Sequence, residues 1–385
     1  MPSKTDQGHI SGLDGLRALA ALAVFCVHFN QVTRLDYLWG PFDLYRLLAN
    51  GEYGVSLFFS LSGFLLAMPF WKAVSSNEGF QVRQYALKRV VRIFPAYYAA
   101  LTILILFSGL WKVPGALADI VLHYLFVFNY TEFSIFSINA PFWTLAVEVQ
   151  FYVLLPCLFL LLRKVSTGKA LVIIGILGVG AYIAHYLLMV SVTSIVSWPF
   201  MPQLTWIRPY GAVLNHSLPA HLPHFFLGVA AGWVHLRMRE NEAVSSARVR
   251  RIFESVFWIS SVLILVLIST SLEETLTMPY GRYGLPLVPL LIMAVLLSAP
   301  HTGFAAKCLE SFPLRTLGRV SYGFYIWHLP VLTYTDQYLA RLGLDAAEHW
   351  IVFGFLGLLL SLVIATVSFV LVERPLLRVS TQVLR

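Results

Sequence analysis

The chain has 385 residues, of which 58% are hydrophobic and only 12% are charged, and its mean hydropathy is +0.75. A soluble domain carries about 25% charged residues, so this composition excludes an ordinary soluble protein and indicates an integral membrane protein. The formal net charge of +8 requires no nucleic-acid partner, because most basic residues can be placed on one membrane face. The three cysteines, all in or beside apolar runs, argue against a disulfide framework.

Eleven apolar runs follow one another along the chain. They lie at 13–33, 53–71, 95–111, 118–130, 141–162, 169–190, 219–237, 252–271, 283–299, 316–335 and 349–372. The run at 118–130 is shorter than the ~17 residues that a spanning helix needs, so we interpret it as re-entrant or interfacial. The sequence therefore predicts an all-α polytopic membrane protein with about ten crossings, forming a single domain over 1–385.

Ten crossings place 21 of the 27 Lys and Arg residues on one side of the membrane. By the positive-inside rule this side is cytoplasmic, which predicts a plasma (inner) membrane protein with both termini in the cytoplasm. The longest loop on the opposite side spans 191–218 and contains Trp198 and Trp206. It is interpreted either as part of an acceptor site or as an aromatic belt at the interface.

The first apolar run carries Asp14, Arg17 and His28. Ionisable groups in a spanning helix are costly, so they usually face the protein interior and have a function. Arg17 and His28 share a helix face to within about 20° and lie about 16 Å apart along the axis. Asp14 is placed to pair with Arg17. This face is predicted to present a cation near the cytoplasmic surface and an imidazole deep in the membrane.

Arg89 and Arg92 are three residues apart in the basic segment between the second and third runs. If that segment is helical they share a face, and arginine pairs bind phosphate well. The alternative is that they only mark the cytoplasmic side. Pro95 is predicted in the first turn of the helix that follows.

Glu148 lies in the middle of an otherwise apolar run, after Trp143. A carboxylate there requires a partner or a proton. It is interpreted either as a group that orients a histidine, as carboxylates do in acyl-transfer sites, or as a structural hydrogen-bond acceptor. Trp143, Glu148 and Gln150 cannot all face lipid.

Four further features have weaker signals. His328 in the tenth run is either a satisfied interior residue or a second site residue. His221 and His224 share a helix face, but no Cys or carboxylate is near them in sequence, so no metal site is expected. Ser62 belongs to a stretch of small residues that we assign to helix packing. Glu373 is interpreted as a partner of the adjacent Arg374 at the cytoplasmic end of the last helix.

Six sequence segments, in the same order along the chain, resemble segments of the acyltransferase-3 family of membrane-bound O-acyltransferases over residues 13 to about 375. They are LDGLRALAALAVFCVH, GVSLFFSLSGFLL, RVVRIFP, FWTLAVEVQFYVLLP, SYGFYIWHLP and VERP. The resemblance implies transfer of an acyl group, commonly acetyl from acetyl-CoA, to a hydroxyl of a sugar. Family members act on surface polysaccharides, O-antigen, peptidoglycan and macrolides. Some carry a fused soluble esterase-like domain, and this chain is expected to be the form without it.

The resemblance assigns the family's first-helix arginine and histidine to Arg17 and His28, its arginine pair to Arg89 and Arg92, and its carboxylate to Glu148. We therefore expect the arginines to bind the phosphates of acetyl-CoA or another acyl-CoA at the cytoplasmic face. The pantetheine arm would follow the first helix to His28, which acts as general base or as a transient acyl carrier. Glu148 would orient or stabilise the imidazolium.

Two other classes of function fit parts of this pattern. A transporter or flippase for a glycolipid or polyol also has many helices with buried charges, although the sequence shows no paired repeat. A proton relay or sensor built on His28 and Glu148 leaves Arg89 and Arg92 unexplained. Within the enzyme interpretation, the acceptor is a carbohydrate or a glycosylated small molecule, and neither it nor the acyl group is identified by the sequence.

Overall fold

The computed structural model describes residues 10–76, 78–197, 210–241, 246–272 and 287–383. Almost all of these residues are helical. The helices are α1 Leu13–Thr33, α2 Leu44–Ala49, α3 Tyr53–Ser76, α4 Val82–Ser108, α5 Ala116–Tyr124, α6 Phe142–Leu162, α7 Thr167–Ser197, α8 Tyr210–Asn215, α9 Leu218–Arg239, α10 Ala247–Ser269, α11 Leu287–Ser298, α12 Phe304–Leu309, α13 Phe312–Arg341, α14 Trp350–Ser368 and α15 Arg374–Val383. A hairpin of two short strands, β1 Leu38–Trp39 and β2 Phe42–Asp43, follows α1, and a π turn, Phe369–Glu373, joins α14 to α15.

The prediction of an all-α polytopic membrane protein is confirmed. Among the described residues, seven helical segments are long and apolar enough to cross a membrane. Two further long helices, α9 with 22 residues and α13 with 30, carry more polar side chains, and α11 is apolar but has only 12 residues. The run at 118–130 forms the nine-residue α5 and a 3-10 turn. At 1.5 Å per residue α5 is only about 14 Å long, so it does not span.

The helix after the basic segment begins much earlier than predicted. α4 starts at Val82, so Pro95 lies inside the helix and the prediction that it occupies the first turn is wrong. Residues 82–92 consist largely of good helix formers, which extend the helix at the cost of one hydrogen bond lost at the proline. Arg89 and Arg92 therefore lie on a helix. Trp198 and Trp206 of the predicted outer loop lie outside the described residues.

The centre of the bundle depends on contacts between helix backbones. Where α3 crosses α9, a Cβ on Gly63 would lie 2.1 Å from the Phe225 carbonyl oxygen, and one on Gly228 would lie 2.1 Å from the Ser60 oxygen. Where α1 meets α13, a Cβ on Gly318 would lie 2.0 Å from the Asp14 oxygen. Small residues permit such close packing, so these glycines determine which helix faces meet.

Substituting alanine for Gly228 is expected to destabilise the protein by about 1–3 kcal/mol, because the added methyl group must separate two packed backbones. Gly180 on α7 is the matched control, since a Cβ there meets nothing within 4 Å. Thermal unfolding in detergent measures the effect: the midpoint of G228A should fall and that of G180A should stay near the wild-type value. Equal midpoints for G228A and wild type would contradict the packing described here.

Basic residues collect at one end of this bundle. α3 and α9 run parallel, α1 and α13 run parallel, and Phe159 near the end of α6 stacks on Phe70 near the end of α3, with ring centroids 5.1 Å apart. The ends of α3, α6 and α9 and the beginning of α4 are consequently on one side. We call it the basic end, after Lys72, Lys88 and Lys164.

Candidate functional site

A cavity of about 90 Å³, here called the central cavity, lies between α1, α3, α4, α6 and α13. Its polar lining consists of Arg17, Ser62, Arg89, Arg92, Thr144, Glu148, Tyr152, Ser321, Tyr322 and Tyr325. The predicted site residues Arg17, Arg89, Arg92 and Glu148, which lie on three different helices, thus line one space.

Arg17 extends from the first turns of α1 into the central cavity. Its Nη1 donates a hydrogen bond to Asp14 Oδ1 at 2.9 Å, which is the pair that the spacing predicts. The close contact of Gly318 with the Asp14 backbone holds this part of α1 against α13. Arg17 also interacts electrostatically with Arg92 and Glu148, so the charges of three helices act on one another.

Arg89 and Arg92 project from one face of α4 into the same cavity. Among the described residues, no carboxylate oxygen lies within 4.0 Å of either guanidinium. The Nε of Arg89 is buried and makes no hydrogen bond to any residue that the structure describes. Buried donors are normally satisfied, so this pair offers charge and hydrogen bonds to an anionic ligand.

Glu148 reaches the cavity from α6 and is held by two hydroxyl donors. Ser62 Oγ donates to its Oε1 at 2.5 Å, and the Tyr152 hydroxyl donates to the same oxygen at 2.7 Å. Ser62, which the sequence assigns to helix packing, thus also holds a carboxylate through its hydroxyl. With one oxygen bonded twice, Glu148 has its second oxygen left for a ligand.

His28 does not line the central cavity. Its Nδ1 lies 2.9 Å from Gln31 Oε1, and its ring centroid lies 5.1 Å from that of His328. His328 is buried, its Nδ1 lies 2.8 Å from the Tyr325 carbonyl oxygen, and its Nε2 has no hydrogen-bond partner in the described part of the chain. The Tyr325 ring, 5.6 Å from that of His328, belongs to the cavity wall.

The cavity therefore does not follow the Arg17–His28 face of α1 to its end, as the helix geometry alone suggested. The two histidines form a pair immediately beyond Tyr325. His328, the second histidine considered as a site residue, is thus a direct neighbour of His28.

Trp143 lies behind the cavity wall rather than in it. Its ring packs edge-on against His216 at 4.5 Å and lies 5.0 Å from His221. Phe59, which does line the cavity, contacts both Trp143 at 6.3 Å and His221 at 5.0 Å. Within the described residues, no three His, Cys, Asp or Glu side chains converge as metal ligands.

The interpretation of Glu373 as a partner of Arg374 is wrong, and Glu373 is not among the residues that line the central cavity. Its side chain is buried, Oε1 has no hydrogen-bond partner among the described residues, and a Cβ on Gly323 would lie 3.3 Å from that oxygen. In the described structure it makes no ion pair with Arg374, and instead interacts electrostatically with Arg92. It ends the π turn, a rare conformation that is frequent at functional sites. A buried carboxylate in a spanning segment was itself the missed signal.

A second cavity of about 200 Å³ opens at the basic end, between the end of α3 and the beginning of α4. We call it the basic-end cavity. It shares Leu65, Leu66 and Arg89 with the central cavity. Arg89 therefore lies where the two spaces adjoin.

Comparison with known proteins shows which proteins this sequence is similar to. The family model described as "Acyltransferase domain" (acyltransferase-3) matches residues 10–370. The chain is 26% identical over 383 residues to peptidoglycan O-acetyltransferase OatA of Listeria monocytogenes, covering 96% of this chain and 56% of the relative. It is 25% identical over 384 residues to a Bacillus subtilis protein named "Putative peptidoglycan O-acetyltransferase YrhL", and this match covers 96% of this chain and 55% of the relative.

The chain thus spans a little over half the length of these curated relatives. No solved structure matches it significantly.

Proposed function

This chain belongs to the acyltransferase-3 family, and from that premise we propose that it is a membrane O-acyltransferase. The donor in this proposal is a cytoplasmic acyl-CoA, with acetyl as the group transferred. The acceptor is a hydroxyl of a carbohydrate, the class to which peptidoglycan, named for the relatives, belongs. The basic end faces the cytoplasm of a plasma membrane by the positive-inside rule.

The observation that carries the proposal is the meeting of Arg17, Arg89 and Arg92 with Glu148 in one cavity that adjoins a cavity at the basic end. Coenzyme A bears several phosphates, and guanidinium groups bind phosphate through paired charge-assisted hydrogen bonds. Arg89, with its unbonded buried Nε, is the first arginine that a donor from the basic end meets. The pantetheine arm then lies along the central cavity toward Tyr325.

In the proposed reaction the acceptor oxygen attacks the thioester carbonyl carbon, the C–S bond breaks, and the thiolate of CoA leaves. His28 removes the hydroxyl proton and returns it to the thiolate, while Glu148 stabilises the positive charge that develops. For thioester and His28 to meet, the Tyr325 ring between the cavity and His328 must rotate. The acceptor approaches from the side opposite the basic end, where Gln31 beside His28 is exposed.

Release of CoA thiol by the purified protein in lipid vesicles, with acetyl-CoA and peptidoglycan-derived oligosaccharides, tests this function. The variant carrying Arg89→Gln and Arg92→Gln is expected to raise KM for acetyl-CoA at least about tenfold, because two hydrogen-bonded charges are lost. Arg83→Gln is the control, since Arg83 is exposed on the same helix and lines neither cavity. A wild-type protein that moves a glycolipid but releases no thiol would establish the transporter alternative instead.

A further inference from the structure

The basic-end cavity contains groups that the proposed reaction does not use. Lys72 and Lys88 line it, together with a cluster of three aromatic rings. Phe70 contacts Phe80 at 5.4 Å and Tyr85 at 5.1 Å between ring centroids, both edge-on. Cations next to aromatic rings at the mouth of a buried arginine site suit a ligand with both a phosphate and a planar base.

The positions of the cations divide the phosphates of such a ligand into two groups. Arg89 belongs to both cavities, whereas Lys72 and Lys88 belong only to the basic-end cavity. Both lysines are exposed, and neither has an ion pair among the described residues. A diphosphate bound at Arg89 therefore leaves the lysines for a separate phosphate farther toward the basic end.

Glu78 is the carboxylate in the lining of this cavity. It is exposed and follows the end of α3. The cavity still has an excess of positive charge, because Lys72, Lys88 and Arg89 oppose this one carboxylate. The carboxylate can accept a hydrogen bond from an amino group, which adenine has and a plain phosphate lacks.

We propose that the basic-end cavity binds the adenosine 3′-phosphate portion of the donor, with Lys72 and Lys88 as the residues that recognise the 3′-phosphate. This inference rests on the proposed function and adds to it a site for nucleotide specificity. The enzyme then distinguishes acyl-CoA from donors that carry the same thioester and pantetheine arm but lack that phosphate.

The experiment compares KM for acetyl-CoA and for acetyl-3′-dephospho-CoA in the 385-residue protein in lipid vesicles. The wild type is expected to have a KM about 10- to 100-fold lower for acetyl-CoA, the range that hydrogen bonds to a charged group support. In the Lys72→Gln/Lys88→Gln variant, KM for acetyl-CoA should rise to that of the dephospho donor, which itself stays unchanged. Lys164→Gln, an exposed lysine at the same end that lines neither cavity, should retain the discrimination.

Equal KM values for both donors in the wild type would overturn the 3′-phosphate site and leave the acyl-CoA reaction intact. A rise in KM for both donors in the lysine variant would also overturn it, because the lysines would then attract any anionic donor rather than recognise the 3′-phosphate. Absence of thiol release with either donor would overturn the proposed function and this site with it.

Discussion

Replacing Glu148 with glutamine is expected to lower the rate of acetyl transfer by about 100-fold or more, the scale of a lost acid–base or charge-stabilising group. Glutamine has nearly the same shape and can still accept hydrogen bonds from Ser62 and Tyr152, so the fold around the site should persist. What disappears is the negative charge facing the arginines of the central cavity. The fall should appear in kcat measured by thiol release.

Two milder variants separate this charge effect from orientation. Ser62→Ala and Tyr152→Phe each remove one donor to Glu148 but keep its charge, and each should reduce the rate by roughly tenfold, the value of one hydrogen bond to a charged group. If E148Q transferred acetyl at the wild-type rate, Glu148 would be a structural hydrogen-bond acceptor, which is the alternative that its sequence position also allowed.

Substituting alanine for His28 is expected to reduce acetyl transfer by about 10²–10⁴-fold, because removal of a general base costs that much. This prediction is a strict test of the mechanism, because His28 does not line the central cavity. It is separated from the cavity by Tyr325 and contacts His328. Gln31→Ala, which removes only the partner of His28 Nδ1, is the matched control and should cost a few-fold. A His28→Ala protein with full activity would show that His28 is not the general base.

The same variant distinguishes a base from an acyl carrier. Wild-type protein incubated with labelled acetyl-CoA but no acceptor retains label only if a side chain is acetylated. The general-base mechanism predicts no retained label in either protein. Label that is present in the wild type and absent in His28→Ala would show that His28 carries the acyl group.

Much of the candidate site could be predicted from the sequence, because placing an ionisable side chain in the hydrocarbon region of a membrane has an unfavourable free energy. Arg17, Arg89, Arg92 and Glu148 are conspicuous within or beside apolar runs, and an ionisable group there must find the protein interior. The same reasoning was available for Glu373, but its place at the end of the last run suggested a surface ion pair. Run length and charge likewise predicted the non-spanning segment at 118–130 and the all-α fold.

The sequence alone determined which side chains must leave the lipid and, through helical periodicity, which of them share a face of one helix. Only the tertiary structure decided which faces meet. Contacts at Gly63 and Gly228 set how α3 crosses α9, and the contact at Gly318 sets how α1 meets α13, which brings His328 beside His28. The physical reason is that helical periodicity determines only the angular position of each side chain around its own helix. The distance and crossing angle between two helices depend on how their backbones pack, which the sequence of one helix does not determine.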